Sequence, residues 1–289
     1  MREARILNID DIEAAVTIPA LPPECRELFQ EADTVWERYS HHRDFVRYVA
    51  ADYDAVFRSL AALRGRVSTV LEWGSGLGVV TIMARLLGFE AYGIEYAPSL
   101  VKCSREFAQR FAPDAVFVEG SFIPSDYVFD PAFGDSLFQS EVDVESGYEE
   151  LEMELSDFDL VYAFPWPDEI NFLNHVMAQC SGTQTLFLTY DATEGMILRE
   201  FNSEEGGGAD DEGALSRTDG VEAERDAIDA YFLRDNDDPY GDDGAFDDDD
   251  ALGEMSEEHA DGEERGGRAG QEHKAYREAV SDHEDAGEF

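Results

Sequence analysis

The sequence predicts an α/β fold: a doubly wound, mostly parallel sheet, with an N-terminal helical segment before it and a disordered acidic tail after it. Three observations carry this. Short apolar, β-branched runs alternate with helical patterns through the middle of the chain. The first of those runs ends in a turn with glycine at every second position. The acidic charge is concentrated at the C-terminal end, where apolar residues are sparse. The boundaries follow: 1–65 is the helical segment, 66–202 the sheet-bearing domain and 203–289 the tail.

In the first segment, Pro22-Pro23 precedes a pattern in which Leu28, Val35, Trp36, Tyr39, Phe45, Val46, Val49, Tyr53, Val56, Phe57 and Leu60 recur at spacings of three and four. Gly65 closes it, and His41-His42-Arg43 marks a break between two helices. The His pair reads as surface, since a metal site would need a third ligand nearby. Val67–Trp73 (VSTVLEW) is the first strand and Val79–Leu87 a buried helix stopped by Gly88. Ala91–Glu95 is a second strand, and Pro98–Phe111 an amphipathic helix with Leu100, Val101, Phe107 and Phe111 inward. Strands follow over Ala115–Val118, Asp159–Phe164 and Gln184–Tyr190, with a helix over Ile170–Gln179. Residues 119–158 exceed one crossover helix. They predict an acidic excursion with a helix near Tyr148–Leu155, read as a solvated insertion. After Tyr190 a single short strand, Met196–Phe201, is expected, which leaves a sheet of five or six strands with an open edge.

Composition narrows the function. The chain carries 21 Lys+Arg against 66 Asp+Glu, a formal charge of −45. Residues 201–289 hold 7 Lys+Arg and 31 Asp+Glu, a net of −24. Such a tail cannot bury enough surface to offset its ordering entropy. Phosphate backbones and anionic lipid both call for clustered Lys and Arg, so the expected partners exclude a membrane and disfavour nucleic acid. Cys25, Cys103 and Cys180 are far apart and no CxxC exists, so neither a disulfide framework nor a metal site is expected. MREARILNIDDIE has no apolar run followed by a small-residue cleavage site, and no stretch approaches the roughly 20 apolar residues of a membrane span. The expected location is cytoplasmic.

The strongest motif is Glu72-Trp73-Gly74-Ser75-Gly76-Leu77-Gly78. An apolar strand runs directly into three alternate glycines that open a helix. Glycine takes positive φ at no steric cost and lets a ligand approach bare backbone, while the helix N-terminus offers free amides. Glu95 then ends the second strand, where a carboxylate can accept hydrogen bonds from a ribose diol. The pair points to a cofactor of adenosine type lying across the first two strands. A dinucleotide site would put its third glycine at 79, where Val79 stands.

Glycine at alternate positions after an acid resembles the first motif of the class I S-adenosylmethionine-dependent methyltransferases, and the match is nearest to small uncharacterised bacterial members. The resemblance covers about 66–190 and implies a Rossmann-like fold, S-adenosyl-L-methionine as cofactor and methyl transfer as activity. It makes Gly74, Gly76 and Gly78 the turn under the methionine part, Glu72 the acid before it, Glu95 the ribose acceptor and Tyr96 the residue against adenine. It also gives Ser121 and Phe122 as further adenine contacts.

The fourth strand runs into Ala163-Phe164-Pro165-Trp166-Pro167-Asp168-Glu169. Amino-methylating members of the resembled family carry Asn, Asp or Ser, then Pro-Pro and an aromatic. Ala163 lacks that side-chain acceptor, so methylation of an exocyclic base amine is not expected. Two prolines fix the turn and present Trp166 for stacking on a flat substrate or on a sulfonium. Asp168 and Glu169 are candidate proton acceptors, and equally residues favoured by the N-terminus of the following helix. The expected acceptor is a small molecule or protein, and oligomeric state is left open. The alternatives are a non-catalytic binding module of the same fold that acts through protein contacts and, more weakly, a nicotinamide-dependent oxidoreductase.

Overall fold

The computed structural model describes residues 2–42, 44–45, 48–130, 145–166, 169–191 and 194–202. The expected tail (203–289), part of the acidic excursion (131–144) and Asp168 lie outside the described residues. In chain order the elements are β1 (Glu3–Leu7), α1 (Ile9–Ala14), α2 (Pro23–Tyr39), α3 (Tyr53–Leu63), β2 (Thr69–Trp73), α4 (Val79–Leu86), β3 (Glu90–Glu95), α5 (Pro98–Phe111) and β4 (Val116–Glu119). They continue with α6 (Gly147–Leu151), a 3₁₀ turn over Leu155–Asp157, β5 (Leu160–Ala163), α7 (Ile170–Cys180), β6 (Leu186–Asp191) and β7 (Gly195–Asn202).

The strands form one seven-stranded sheet in the order β1-β7-β6-β5-β2-β3-β4. From β4 to β6 every pairing is parallel; β7 runs antiparallel to both β6 and β1. The sheet grows from β2 through β3 to β4 in one direction, then restarts at β5 on the other side of β2. That reversal opens a crevice at the carboxyl ends of β2 and β5, the place where open α/β sheets bind ligands.

The register fixes which side chains share a face. Glu72 pairs with Gly93 and Tyr162, Gly93 with Phe117, and Tyr162 with Leu188. This row faces α2, α3, α4 and α5, and Phe117, Tyr162 and Leu188 join their core. One residue on, Trp73, Ile94, Val118 and Ala163 face the other way, into a second core with Tyr148 of α6 and Phe172, Leu173 and Val176 of α7. Strands buried on both faces read as continuous apolar runs, which is why VSTVLEW lacks alternation.

Local rules set the helix ends. The Asp52 side chain accepts from the Ala55 N–H at 3.0 Å and caps α3. Pro98 occupies the first turn of α5, where its missing donor costs nothing. In α2, Cys25, Leu28, Ala32 and Val35 are the buried stripe. Arg110 of α5 pairs with Glu27 and Glu31 and so ties α5 to α2.

Three expectations are corrected here. The N-terminal segment is not helical throughout, because Glu3–Leu7 is a strand. The sheet is also not left at five or six strands with β7 bare, because β1 covers that edge from Leu7↔Leu198 to Glu3↔Asn202. The partner of β7 comes from the opposite end of the chain. β1 is itself mostly exposed, with Ile6 at 66%, so it carries no periodic apolar signal. The expected helix of the acidic excursion is shorter than its reading, a single α6 turn followed by the 3₁₀ turn.

Candidate cofactor site

Gly74, Gly76 and Gly78 all hold positive φ, at 64°, 53° and 77°. Only glycine adopts three such values in five residues without strain. Their surroundings differ. A side chain at Gly78 would strike Phe117 and Ser104, so packing of α4 on the sheet demands that glycine. A side chain at Gly76 would strike the ring of Tyr48, with Cε2 only 2.6 Å from the added carbon. At Gly74 none of the described residues lies within 4 Å of such a side chain, which makes it the one glycine of the turn that faces open space among them.

Glu72 holds the turn from below. Its Oε2 accepts from the Thr81 N–H at 2.8 Å and from Thr81 Oγ1 at 2.6 Å. One of the free donors of the first turn of α4 is thereby satisfied, and the loop 74–78 is pinned between strand and helix. Burial pushes the Glu72 carboxyl up to about 8, against the pull of those two bonds.

Glu95 closes the turn from the side. Its Oε2 accepts from the Gly76 N–H at 2.8 Å and its Oε1 from the Ala97 N–H at 3.0 Å. The side chain is 5% exposed. Burial raises its pKa, and the amides of Ala97, Gly76 and Tyr96 oppose that rise. A carboxylate has about four acceptor positions, so these amides leave it capacity for a further donor. Tyr96 is half-buried beside it and packs on the first core.

Ser121 and Phe122 follow β4. The Ser121 hydroxyl accepts from the Ile123 N–H at 3.1 Å, and its main chain bridges to Ser146. Phe122 stacks on Trp73 with ring centroids 5.1 Å apart, on the face opposite Glu72. Glu169 is buried, and its carboxylate accepts from the Trp166 N–H at 3.1 Å while its own N–H donates to the Trp166 carbonyl. These reciprocal bonds fix Trp166, which is half-exposed, at the mouth of α7. Asp168 lies outside the described residues.

Sequence reasoning did not single out four tyrosines that lie around the candidate site. Tyr48 covers Gly76, and its hydroxyl bonds that of Tyr53 at 2.8 Å. Tyr162 lies beside Glu72 in the sheet register, and Tyr190 meets Phe164 edge-on at 5.4 Å. In the sequence these tyrosines look like core aromatics at helical or strand spacing, and only the fold brings them to one edge. Among the described residues no group of three His, Cys, Asp or Glu is placed to hold a metal ion. Burial pushes the thiols of Cys25, Cys103 and Cys180 up to about 11, 12 and 12, out of the range of useful nucleophiles.

The residues present fit an adenosine cofactor with an amino-acid arm. Bare backbone is open at Gly74, a carboxylate ends the next strand, and two buried hydroxyls, Ser75 Oγ and Tyr162 Oη, have no hydrogen-bond partner.

No family model matches the chain. An uncharacterized methyltransferase of Bacillus velezensis is 32% identical over 98 residues, which are 33% of this chain and 43% of that protein. The chain thus spans less than half the length of the curated relative it matches. Among solved structures, an RNA methyltransferase from Salinibacter ruber in complex with S-adenosyl-L-homocysteine is 20% identical over 57% of this chain and all of its own, with a TM-score of 0.38. An O-methyltransferase from Bacillus cereus, also in complex with S-adenosyl-L-homocysteine, is 15% identical over 64% of this chain and 73% of its own, with a TM-score of 0.39. No helix among the described residues is long and apolar enough to cross a membrane.

Proposed function

We propose that this protein is an S-adenosyl-L-methionine-dependent methyltransferase whose acceptor is a small molecule or a protein rather than DNA. The observation that carries the reading is the Gly76 N–H to Glu95 bond. It locks a left-handed glycine turn and a strand-end carboxylate into one cradle at the switch point of the sheet. Glu95 and Tyr96 would hold the adenosine part, and Gly74 would lie under the amino-acid arm. Bound there, the cofactor supplies a sulfonium methyl that is already strongly electrophilic. The protein's work is to align the acceptor with it and to exclude water. Trp166, held by Glu169, would pack on the acceptor or the sulfonium. Where the acceptor carries a proton, Glu169 and Asp168 are the candidates to take it.

Isothermal titration with S-adenosyl-L-homocysteine tests this. Saturable binding is expected, weakened severalfold or more by Gly74→Ala, which puts a methyl group where the ligand approaches. No binding at millimolar ligand overturns the reading. One observation favours a second reading, a non-catalytic module that keeps the fold: Tyr48 already covers Gly76. Under that reading the wild-type protein binds no cofactor, and Tyr48→Ala does not restore binding.

A further inference from the structure

Tyr162 has no role in the reading above, yet its position is unusual. It is the third residue of β5, 2% exposed, in register with Glu72 across the switch point. Its hydroxyl finds no hydrogen-bond partner among the described residues. A buried hydroxyl without a partner loses its water and gains nothing in return, so a phenylalanine would serve the core better. The groups that act on it electrostatically are Glu72, Tyr190, Asp52 and Tyr48. Tyr190 nears the carboxyl end of β6, Asp52 caps α3, and Tyr48 covers the glycine turn. Tyr162 is the last residue but one of β5 and shares the face of Glu72, so it stands one residue short of the carboxyl edge of the sheet, at the top of the first core.

The side of the crevice decides what it meets. Glu95 ends β3, on one side of β2, and Tyr162 stands on β5, on the other. A cofactor with its sugar at Glu95 must run its amino-acid arm over the turn that follows β2, toward β5. That arm ends in an ammonium and a carboxylate. Asp52, at the N-terminal end of α3, favours the ammonium. The carboxylate needs a donor in a region rich in acids, and the Tyr162 hydroxyl is an unspent one.

We propose that Tyr162 is a positioning residue whose hydroxyl donates a hydrogen bond to the carboxylate of the cofactor's amino-acid arm. This rests on the methyltransferase reading.

The test compares two probes on the full chain by calorimetry: S-adenosyl-L-homocysteine, which has the arm, and 5′-methylthioadenosine, which lacks it. Tyr162→Phe is expected to weaken S-adenosyl-L-homocysteine roughly ten- to a hundredfold, the effect of one charge-assisted hydrogen bond. The affinity for methylthioadenosine should stay the same. Without ligand, Tyr162→Phe should melt no lower than wild type, since the hydroxyl has nothing to lose there. Equal losses for both probes, no loss for either, or a lower melting temperature of the free variant overturns the proposal. If the wild-type protein binds neither probe, the methyltransferase reading fails and this one with it. Wild-type binding with an unaffected variant removes the Tyr162 role alone.

Discussion

Glu72 does two things that pull against each other. Its carboxylate anchors the turn through Thr81, yet it is buried in the row between Gly93 and Tyr162. Its pKa is near 8 in the folded protein, against an ordinary value of 4.5. The folded state thus holds a proton that the unfolded chain has already lost. The sign follows directly: stability is highest below about pH 4.5 with respect to this group, falls as the pH rises toward 8, and is flat beyond. Gln accepts the same two bonds from Thr81 without the charge. Thermal unfolding of Glu72→Gln and wild type at pH 5.5 and pH 8.5 should show the variant gaining at the higher pH, by a difference on the order of a few kcal/mol. Equal pH slopes for the two proteins would contradict the burial argument. Glu72 was legible in the sequence as a candidate, but the work its carboxyl does in the fold was not. The acid before the glycines suggested a ligand contact, and the fold shows that its Oε2 is spent on the helix.

At the scale of elements, the N-terminal strand and α7 hold each other. The Arg2 guanidinium donates to the carbonyls of Met177, Ala178, Ser181 and Gly182, at 2.6 to 3.0 Å. These carbonyls lie at and just beyond the C-terminal end of α7, where acceptors outnumber main-chain donors. Burial lowers the pKa of Arg2, but a guanidinium stays charged at any working pH. Arg2→Ala leaves several carbonyls to be satisfied by water and loosens the clamp that seats β1 on β7. A loss of about 2 kcal/mol or more is expected, from hydrogen bonds to a charged donor, read as a lower midpoint in urea. A midpoint unchanged within error would mean that β1 is seated by its ladder alone. The strands and helices of the middle of the chain were legible because each is a local pattern of apolar spacing, Gly and Pro. β1 was not, since its pairing partner is nearly 200 residues away and its side chains are largely exposed.

The whole molecule carries its formal charge of −45 on 289 residues. Surface ion pairs such as Arg85–Asp114 and Arg105–Glu150 are exposed and worth little, so like-charge repulsion is the larger surface effect. Salt shortens its range from about 30 Å at 0.01 M to about 3 Å at 1 M. The melting temperature is therefore expected to rise by several degrees between those two conditions, by calorimetric scan. A fall with added salt would show that specific ion pairs outweigh repulsion.

The sequence by itself determined the alternation of strand and helix, the glycine turn, the acid that ends the second strand and the sign of the surface. Each of these is written in neighbouring residues, through backbone freedom at glycine, apolar period and simple charge counting. Only the tertiary structure decided that Gly74 is open while Gly76 lies under Tyr48, that Tyr162 stands unpartnered beside Glu72, and that the first strand closes the sheet. Those facts depend on which distant segments meet at the carboxyl edge, and contact between segments far apart in the chain leaves no local pattern to read.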